Sequence, residues 1–268
     1  MALLPVPDGL ELATDLSVAD WIVERLWPWG PGSEEEGRVR VGSFVPEGFE
    51  AYARILHPAY RAEGNVGTVR WSVLADLNAR ALRPEIGFTE VSGLDPAHSQ
   101  AWQDAVPLQG SLPRDQLRAL ARVLKSHTST PDDCWFCLWE GYSFWGGRVG
   151  YGWSPEDSLA QRDAARRRAV ARAERESRVL DRISRVHGRH RAYFLFHGSL
   201  GRLSAFEFGP SYQSPNLWWP DDRAWCVASE IDSYSSYVGG SRECIARVLS
   251  SLDLEALEVD LQMQLDPP

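Results

Sequence analysis

The chain has 268 residues, 44% of them hydrophobic and 24% charged, a balance that suits a globular protein and excludes wholesale disorder. A net charge of -9 at pH 7 argues against general affinity for nucleic acid. No apolar run approaches the roughly 20 residues that a membrane-spanning helix needs.

The first residues, "MALLPVPDGLELATDL", carry Asp8, Glu11 and Asp15 and no basic stretch, so no secretory signal is expected and the protein is read as cytoplasmic. In "DLSVADWIVERLW" (15 to 27), Val18, Trp21, Ile22, Leu26 and Trp27 follow helical spacing until Pro28 stops it. "RVRVGSFV" (38 to 45) alternates polar and apolar residues and reads as a half-buried strand. Pro46 is then expected to open a helix through "EGFEAYARIL".

A short strand "GTVRW" (67 to 71) runs into a helix, "SVLADLNARAL", with Ser72 as its cap. Residues 83 to 112 read as irregular. "LPRDQLRALARVLKSH" (112 to 127) is the best-formed helix, with Leu117, Leu120, Ala121 and Leu124 in one stripe. "CWFCLWEGY" (134 to 142) suits a strand buried on both faces. "AYFLFHGSLGRLSAFEF" (192 to 208) reads as a hairpin turning at "GSLG", "RAWCVASEI" (223 to 231) as a strand, "SRECIARVLSSL" (241 to 252) as a helix and "EALEVDLQ" (255 to 262) as a last strand.

Strand follows strand more often than strand and helix alternate, which points to an α+β fold. The expected architecture is a mixed, largely antiparallel sheet with several packed helices, forming a single domain over residues 1–268. Within it, residues 156–191 form a basic helical insertion: eleven arginines and six acids give this stretch a net charge of +5, against -14 for the remainder. A thin apolar stripe, Ala165, Ala169, Ala173, Leu180 and Ile183, runs along it. Acid-arginine pairs at helical spacing favour a solvated helix. The stretch has no aromatic residue for base stacking, so nucleic acid is not the expected partner.

Each motif with chemical potential has a competing structural explanation. "CWFC" has the CxxC spacing of metal and redox sites. On a strand, however, residues three apart point to opposite faces, and Cys134 and Cys137 are read as buried small hydrophobes, with Cys226 and Cys244 supplying no second CxxC. Four cysteines in a chain of this length are expected as thiols in a reducing compartment. "HGRH" (187 to 190) lacks the glutamate and spacing of a zinc helix and is read as a solvated helix end. No metal site and no cofactor is expected.

The glycine-flanked aromatic residues of "EGYSFWGGRVGYGW" (140 to 153) make Trp145, Tyr151 and Trp153 candidates for stacking on a planar or sugar-like ligand, or else a long hairpin whose aromatics close the edge of the sheet. In "YVGGSRECI", Gly239, Gly240 and Ser241 precede a helix and are candidates for holding an anion through backbone amides, or simply a turn with Ser241 as cap. The acids Glu140, Glu230 and Asp232 are the candidate catalytic groups, should they converge on one pocket. On "RAWCVASEI", Cys226 and Ala228 share a face with Glu230.

The runs "CWFCLWEGY", "SPNLWWPDDRAWCVASEID" and "YVGGS", together with "GRVRVGSFVPEGFEAYARILHPAY", resemble a family of actinobacterial proteins. The resemblance covers most of the chain outside the arginine-rich helix and implies no activity or catalytic residue.

With no catalytic signature of a known kind, the functional expectation is a cytoplasmic, non-enzymatic binding or regulatory module. It would engage a protein partner of the immunity or antitoxin kind. The alternative is a small hydrolase or ligand-binding enzyme with an acidic, aromatic-lined pocket.

Overall fold

A computed structural model describes residues 6–29, 39–61, 67–93, 106–145, 156, 158–208 and 211–265. Its centre is a sheet of nine strands: β1 (Glu11–Leu12), β2 (Ala51–Leu56), β3 (Cys134–Trp139), β4 (Val186–His187), β5 (Ala192–Gly198), β6 (Leu217–Pro220), β7 (Cys226–Ser229), β8 (Ser235–Gly240) and β9 (Ala256–Val259). The spatial order is β1-β5-β3-β6-β7-β8-β2-β9, with β4 beside β1 on the outer edge of β5. Every ladder is antiparallel. Among the described residues six α-helices accompany it: α1 (Asp20–Arg25), α2 (Trp71–Leu77), α3 (Phe88–Val91), α4 (Arg114–Lys125), α5 (Leu159–Leu180) and α6 (Arg242–Leu249). The fold class is α+β.

The period-2 alternation of each strand divides its side chains between two cores. Cys134, Phe136 and Leu138 of β3, Phe194 and Phe196 of β5 and Val227 of β7 face α4, α6 and the 3-10 turn Leu200–Ala205. Cys137, Leu195, Cys226 and Ala228 face α1 and the segment that includes Val41, Phe44 and Val45. The two cysteines of "CWFC" therefore lie on opposite sides of the sheet, as the spacing predicts. Trp218, Trp219 and Trp225 are fully buried, and Trp225 Nε1 donates to the Leu124 carbonyl at the end of α4 (3.0 Å). A third cluster gathers around Leu56, Trp71 and Phe88.

Several local expectations are corrected. "EGFEAYARIL" contains β2, not a helix: its residues pair with β8 on one edge and β9 on the other. Ala53 and Ile55 enter one core and Tyr52 the other, and this two-sided, two-edged burial overrides the local helical preference. "AYFLFHGSLGRLSAFEF" is not a hairpin. β5 pairs with β3, the chain turns through Leu200–Ala205, and Glu207–Phe208 pairs instead with Ser211–Tyr212. In "RVRVGSFV" only Val39–Arg40 is extended. α2 is not capped by Ser72; the Glu255 carboxylate accepts from the Trp71 and Ser72 amides (2.6 and 2.8 Å). "HGRH" is not a helix end, because α5 stops at Leu180 and His187 belongs to β4.

The arginine-rich stretch does hold a 22-residue helix. Ser158 and Gln161 form a reciprocal capping box at its start. Ala173 is buried, and Ala165, Ala169, Leu180 and Ile183 are half-buried, so the apolar stripe lies as its spacing predicts.

A polar chain crosses one of the two cores. His57 is fully buried, with Nδ1 2.7 Å from the Leu108 carbonyl and Nε2 2.9 Å from Ser236 Oγ. A carbonyl only accepts, so Nδ1 carries the proton, Nε2 accepts from Ser236, and Ser236 accepts from Ser229 (2.6 Å). The chain ties the segment holding Leu108 to the ends of β2, β7 and β8.

Burial, with a contribution from the Arg54 charge, lowers the His57 pKa from 6.5 to about 4. The unfolded chain thus takes up a proton near pH 6.5 that the folded chain refuses until about pH 4. Stability should be undiminished above pH 6.5 and should fall by about 3 kcal/mol as the pH drops to 4. Urea midpoints measured across that window should decline in the wild type and decline less in His57→Asn; parallel slopes would contradict a neutral buried His57.

Candidate functional site

β7 ends at Ser229 and β8 begins at Ser235. The turn between them carries the two acids of interest. The alternation that puts Ala228 into the α1-side core also aims Glu230 to that side, and Glu230 is 7% exposed. Arg191, just before β5, meets it there: Nε and Nη2 reach Glu230 Oε1 at 3.2 and 2.8 Å. The same Nη2 reaches Asp232 Oδ2 at 2.9 Å. The guanidinium also lies 5.7 Å from the centre of the Trp139 ring. Burial pushes the Glu230 pKa up, and the hydrogen bond and charge of Arg191 pull it back.

Glu140 is held elsewhere. It forms an ion pair with Arg185, whose guanidinium lies 5.2 Å from the Phe194 ring centre. Of the three acids picked from sequence, then, Glu230 and Asp232 share one arginine and Glu140 has another. Each arrangement ties one oxygen of a carboxylate to an arginine.

The other nominated residues have structural duties. Trp145 is not displayed for stacking: it is 4% exposed, packs edge-on against Phe194 at 5.0 Å and donates Nε1 to the Trp139 carbonyl (2.7 Å). Tyr151 and Trp153 lie outside the described residues. Gly239 and Gly240 are not an anion-binding turn but the end of β8, paired with β2 and hydrogen-bonded into the sheet. A Cβ on Gly239 would fall 2.4 Å from the Phe49 ring, so close aromatic packing accounts for this glycine. Ser241 caps α6, accepting from the Cys244 amide (3.2 Å).

All four cysteines are buried thiols. Burial pushes Cys134 up to about 12 and Cys137 higher still, which removes the thiolate that metal binding or nucleophilic attack requires. Among the described residues no group of three or more His, Cys, Asp or Glu side chains could hold a metal ion.

Two cavities flank the turn, and Phe44 lines both. The first, against Arg191, Glu230, Asn216 and His190, has a free volume of about 40 Å³, enough for a little water. The second is larger, about 300 Å³, at the lower end of the range for small-molecule pockets. Its rings are Trp71, Phe88, Tyr234, Tyr237 and Phe44, with Asp232, Glu85, Thr89 and Gln109 also lining it. Trp71 and Phe88 stand 5.3 Å apart and Phe88 and Tyr234 5.5 Å.

Arg54 of β2 lines this pocket and is 6% exposed. Its Nε donates to Ser235 Oγ (3.0 Å) and its Nη1 to the carbonyls of Pro84 and Ile86 (2.7 and 2.9 Å). The guanidinium carbon lies 5.4 Å from the centre of the Trp71 ring. No carboxylate pairs with Arg54 among the described residues.

The far wall is fixed by backbone. Gln109 Nε2 donates to the Asp232 carbonyl and the Gly110 amide to that of Ser233, both at 2.8 Å. Gly110 has φ +65°, and a Cβ there would fall 2.5 Å from the Ile231 oxygen, so only glycine brings the chain this close.

Arg54 and Arg191 were not among the residues picked from sequence. The signal for Arg54 was present: once "AYARIL" is a strand, Tyr52, Arg54 and Leu56 share a face, and an arginine on a buried face needs explaining.

Comparison with protein-family models, curated proteins and solved structures gives no match, so no relative's function carries over to this site.

If Arg191 is the counter-charge that keeps Glu230 buried, removing it costs more than neutralising its partner. Arg191→Met should lower unfolding free energy by about 2–3 kcal/mol, less than a fully buried pair because Arg191 stays partly wet. Glu230→Gln, which keeps an acceptor, should cost about 1 kcal/mol. Urea titrations at pH 7 test this order, and its reversal would show that Arg191 is dispensable.

Proposed function

We propose that this chain is a non-enzymatic binding module whose ligand site is the aromatic pocket beside the β7–β8 turn. The observation that carries the reading is the division of labour around that turn. Glu140, Glu230 and Asp232 each give an oxygen to an arginine, while Arg54, buried and without a carboxylate partner among the described residues, lines the pocket. A carboxylate held by an arginine is a weaker proton acceptor than a free one. Recognition needs only shape and a few fixed polar groups.

A regulatory form of the module, with a protein partner of the immunity or antitoxin kind, draws support from α2. Val73 and Leu77, one helical turn apart, are 46% and 73% exposed, and the same helix begins with Trp71 in the pocket wall. Nucleic acid fits less well, given the net charge and the absence of aromatic residues on α5. A cytoplasmic setting agrees with four cysteines kept as buried, unpaired thiols. No described helix is long and apolar enough to cross a membrane.

A metabolite panel screened by thermal shift, with each hit re-analysed by mass spectrometry after incubation, tests the reading. At least one compound should raise the melting temperature and be recovered unchanged. Saturation at 100 times its dissociation constant should add about 2.7 kcal/mol of stability. Turnover that Glu230→Gln abolishes while leaving the protein folded would replace this reading with the hydrolase.

A further inference from the structure

We infer that the pocket lined by Arg54 takes a planar aromatic monocarboxylate; the inference rests on the binding-module reading and names its ligand class. A guanidinium removed from water is costly unless each donor is satisfied and the charge is countered. Here Nε and Nη1 are committed to Ser235, Pro84 and Ile86. Nη2 makes no hydrogen bond among the described residues. The Trp71 ring offsets part of the charge, and no carboxylate among the described residues is bonded to it. One open donor nitrogen on a fixed cation, within a pocket, is the complement of a carboxylate oxygen.

The rest of the ligand follows from the walls. Trp71 and Phe88 are buried and pack in series with Tyr234; Tyr234, half-buried, is the ring of this series left open to a flat apolar body. About 300 Å³ accommodates one or two fused rings with a short acidic arm.

The rim decides against polyanions. Asp232 and Glu85 both line the pocket, and both side chains are 48% exposed. Arg191 is shared between Glu230 and Asp232, and Arg83 between Glu85 and Glu90. Each three-residue group therefore carries a net charge of -1, against the single +1 of Arg54. One negative charge is matched at Arg54, and any further charge meets a negative rim. A nucleotide triphosphate is excluded on that ground.

Calorimetric titration of the full chain with a set of one- and two-ring aromatic carboxylates, benzoate and indole-3-carboxylate among them, tests this alongside the matched carboxamides and ATP. At least one acid should bind ten times or more tighter than its amide, and ATP should give no heat. Thr89→Trp, at an exposed position on the pocket wall, should abolish the binding while leaving the melting temperature within a degree or two. Arg54→Gln should remove the preference for acid over amide if it folds; Thr89→Trp carries the test if it does not. Acid and amide binding equally, both blocked by Thr89→Trp, would overturn the anionic assignment and leave the binding module standing. Acids that fail to bind while another panel compound binds regardless of Thr89→Trp would overturn the assignment of this pocket. No ligand from any class would overturn the binding module itself.

Discussion

The central strands of this protein are covered on both faces, and that single constraint governs where charge can be placed. β3, β5, β7 and β8 carry apolar side chains toward α4 and α6 on one side and toward α1 on the other. A polar group on such a strand has no water to fall back on, so it must bring its own partner or be destabilising by one to several kcal/mol. His57, Ser236 and Ser229 answer by bonding one another and a backbone carbonyl. Asn216 answers by accepting from the Trp139 amide and donating to Tyr142 and to the Ser229 carbonyl. Glu230 answers with Arg191.

Seen in this way, the aromatic and acidic density of "SPNLWWPDDRAWCVASEID" has two unrelated origins. The tryptophans fill volume on both faces of β6 and at the start of β7, where Trp218 and Trp225 stand nearly perpendicular with centres 5.2 Å apart. Of the acids, Asp222 binds the Ser129 amide and hydroxyl at 2.7 Å and so fixes the turn before β3. These bonds hold its pKa below the usual aspartate value despite partial burial. Asp221 accepts from the Trp135 indole at 3.0 Å. Glu230 and Asp232, past the end of β7, border cavities.

How much of this was legible beforehand depended on whether a decision was local. The faces of "RAWCVASEI" and "CWFC", the stripe of α4 and the capped arginine helix follow from periodicity alone, because a period of 2 or 3.6 residues leaves one arrangement that buries the apolar set. β2 did not follow. "EGFEAYARIL" follows Pro46 and carries a turn signal at Gly48, whose φ is +107°, but what makes "AYARIL" a strand is the pair of neighbours, β8 and β9, that arrive from about 180 and 200 residues later in the chain. The site shared that blindness. Arg54 has meaning only once β2 is extended, and Arg191 meets Glu230 only because β5 and β7 enter one sheet through β3 and β6. Glu230 and Asp232 could be picked as interesting from their place at a strand end, but their partner lay some forty residues earlier, beside a histidine pair that drew attention for the wrong chemistry.

The contrast between the two arginines is the remaining step. Arg191 and Arg54 flank the same turn, one on each side of Phe44, and each is covered in part by an indole. Arg191 is given two carboxylates, and the cavity beside it is small. Arg54 is given carbonyls and a hydroxyl, which satisfy donors without cancelling charge, and the cavity beside it is open enough for a ring. A fold selected for stability alone would gain from treating both alike, since a carboxylate opposite Arg54 would relieve the buried charge. Leaving a buried arginine without a bonded carboxylate costs stability in the empty protein. On the proposed reading that cost is recovered when an anion binds, which is how a preorganised binding site differs from a structural ion pair.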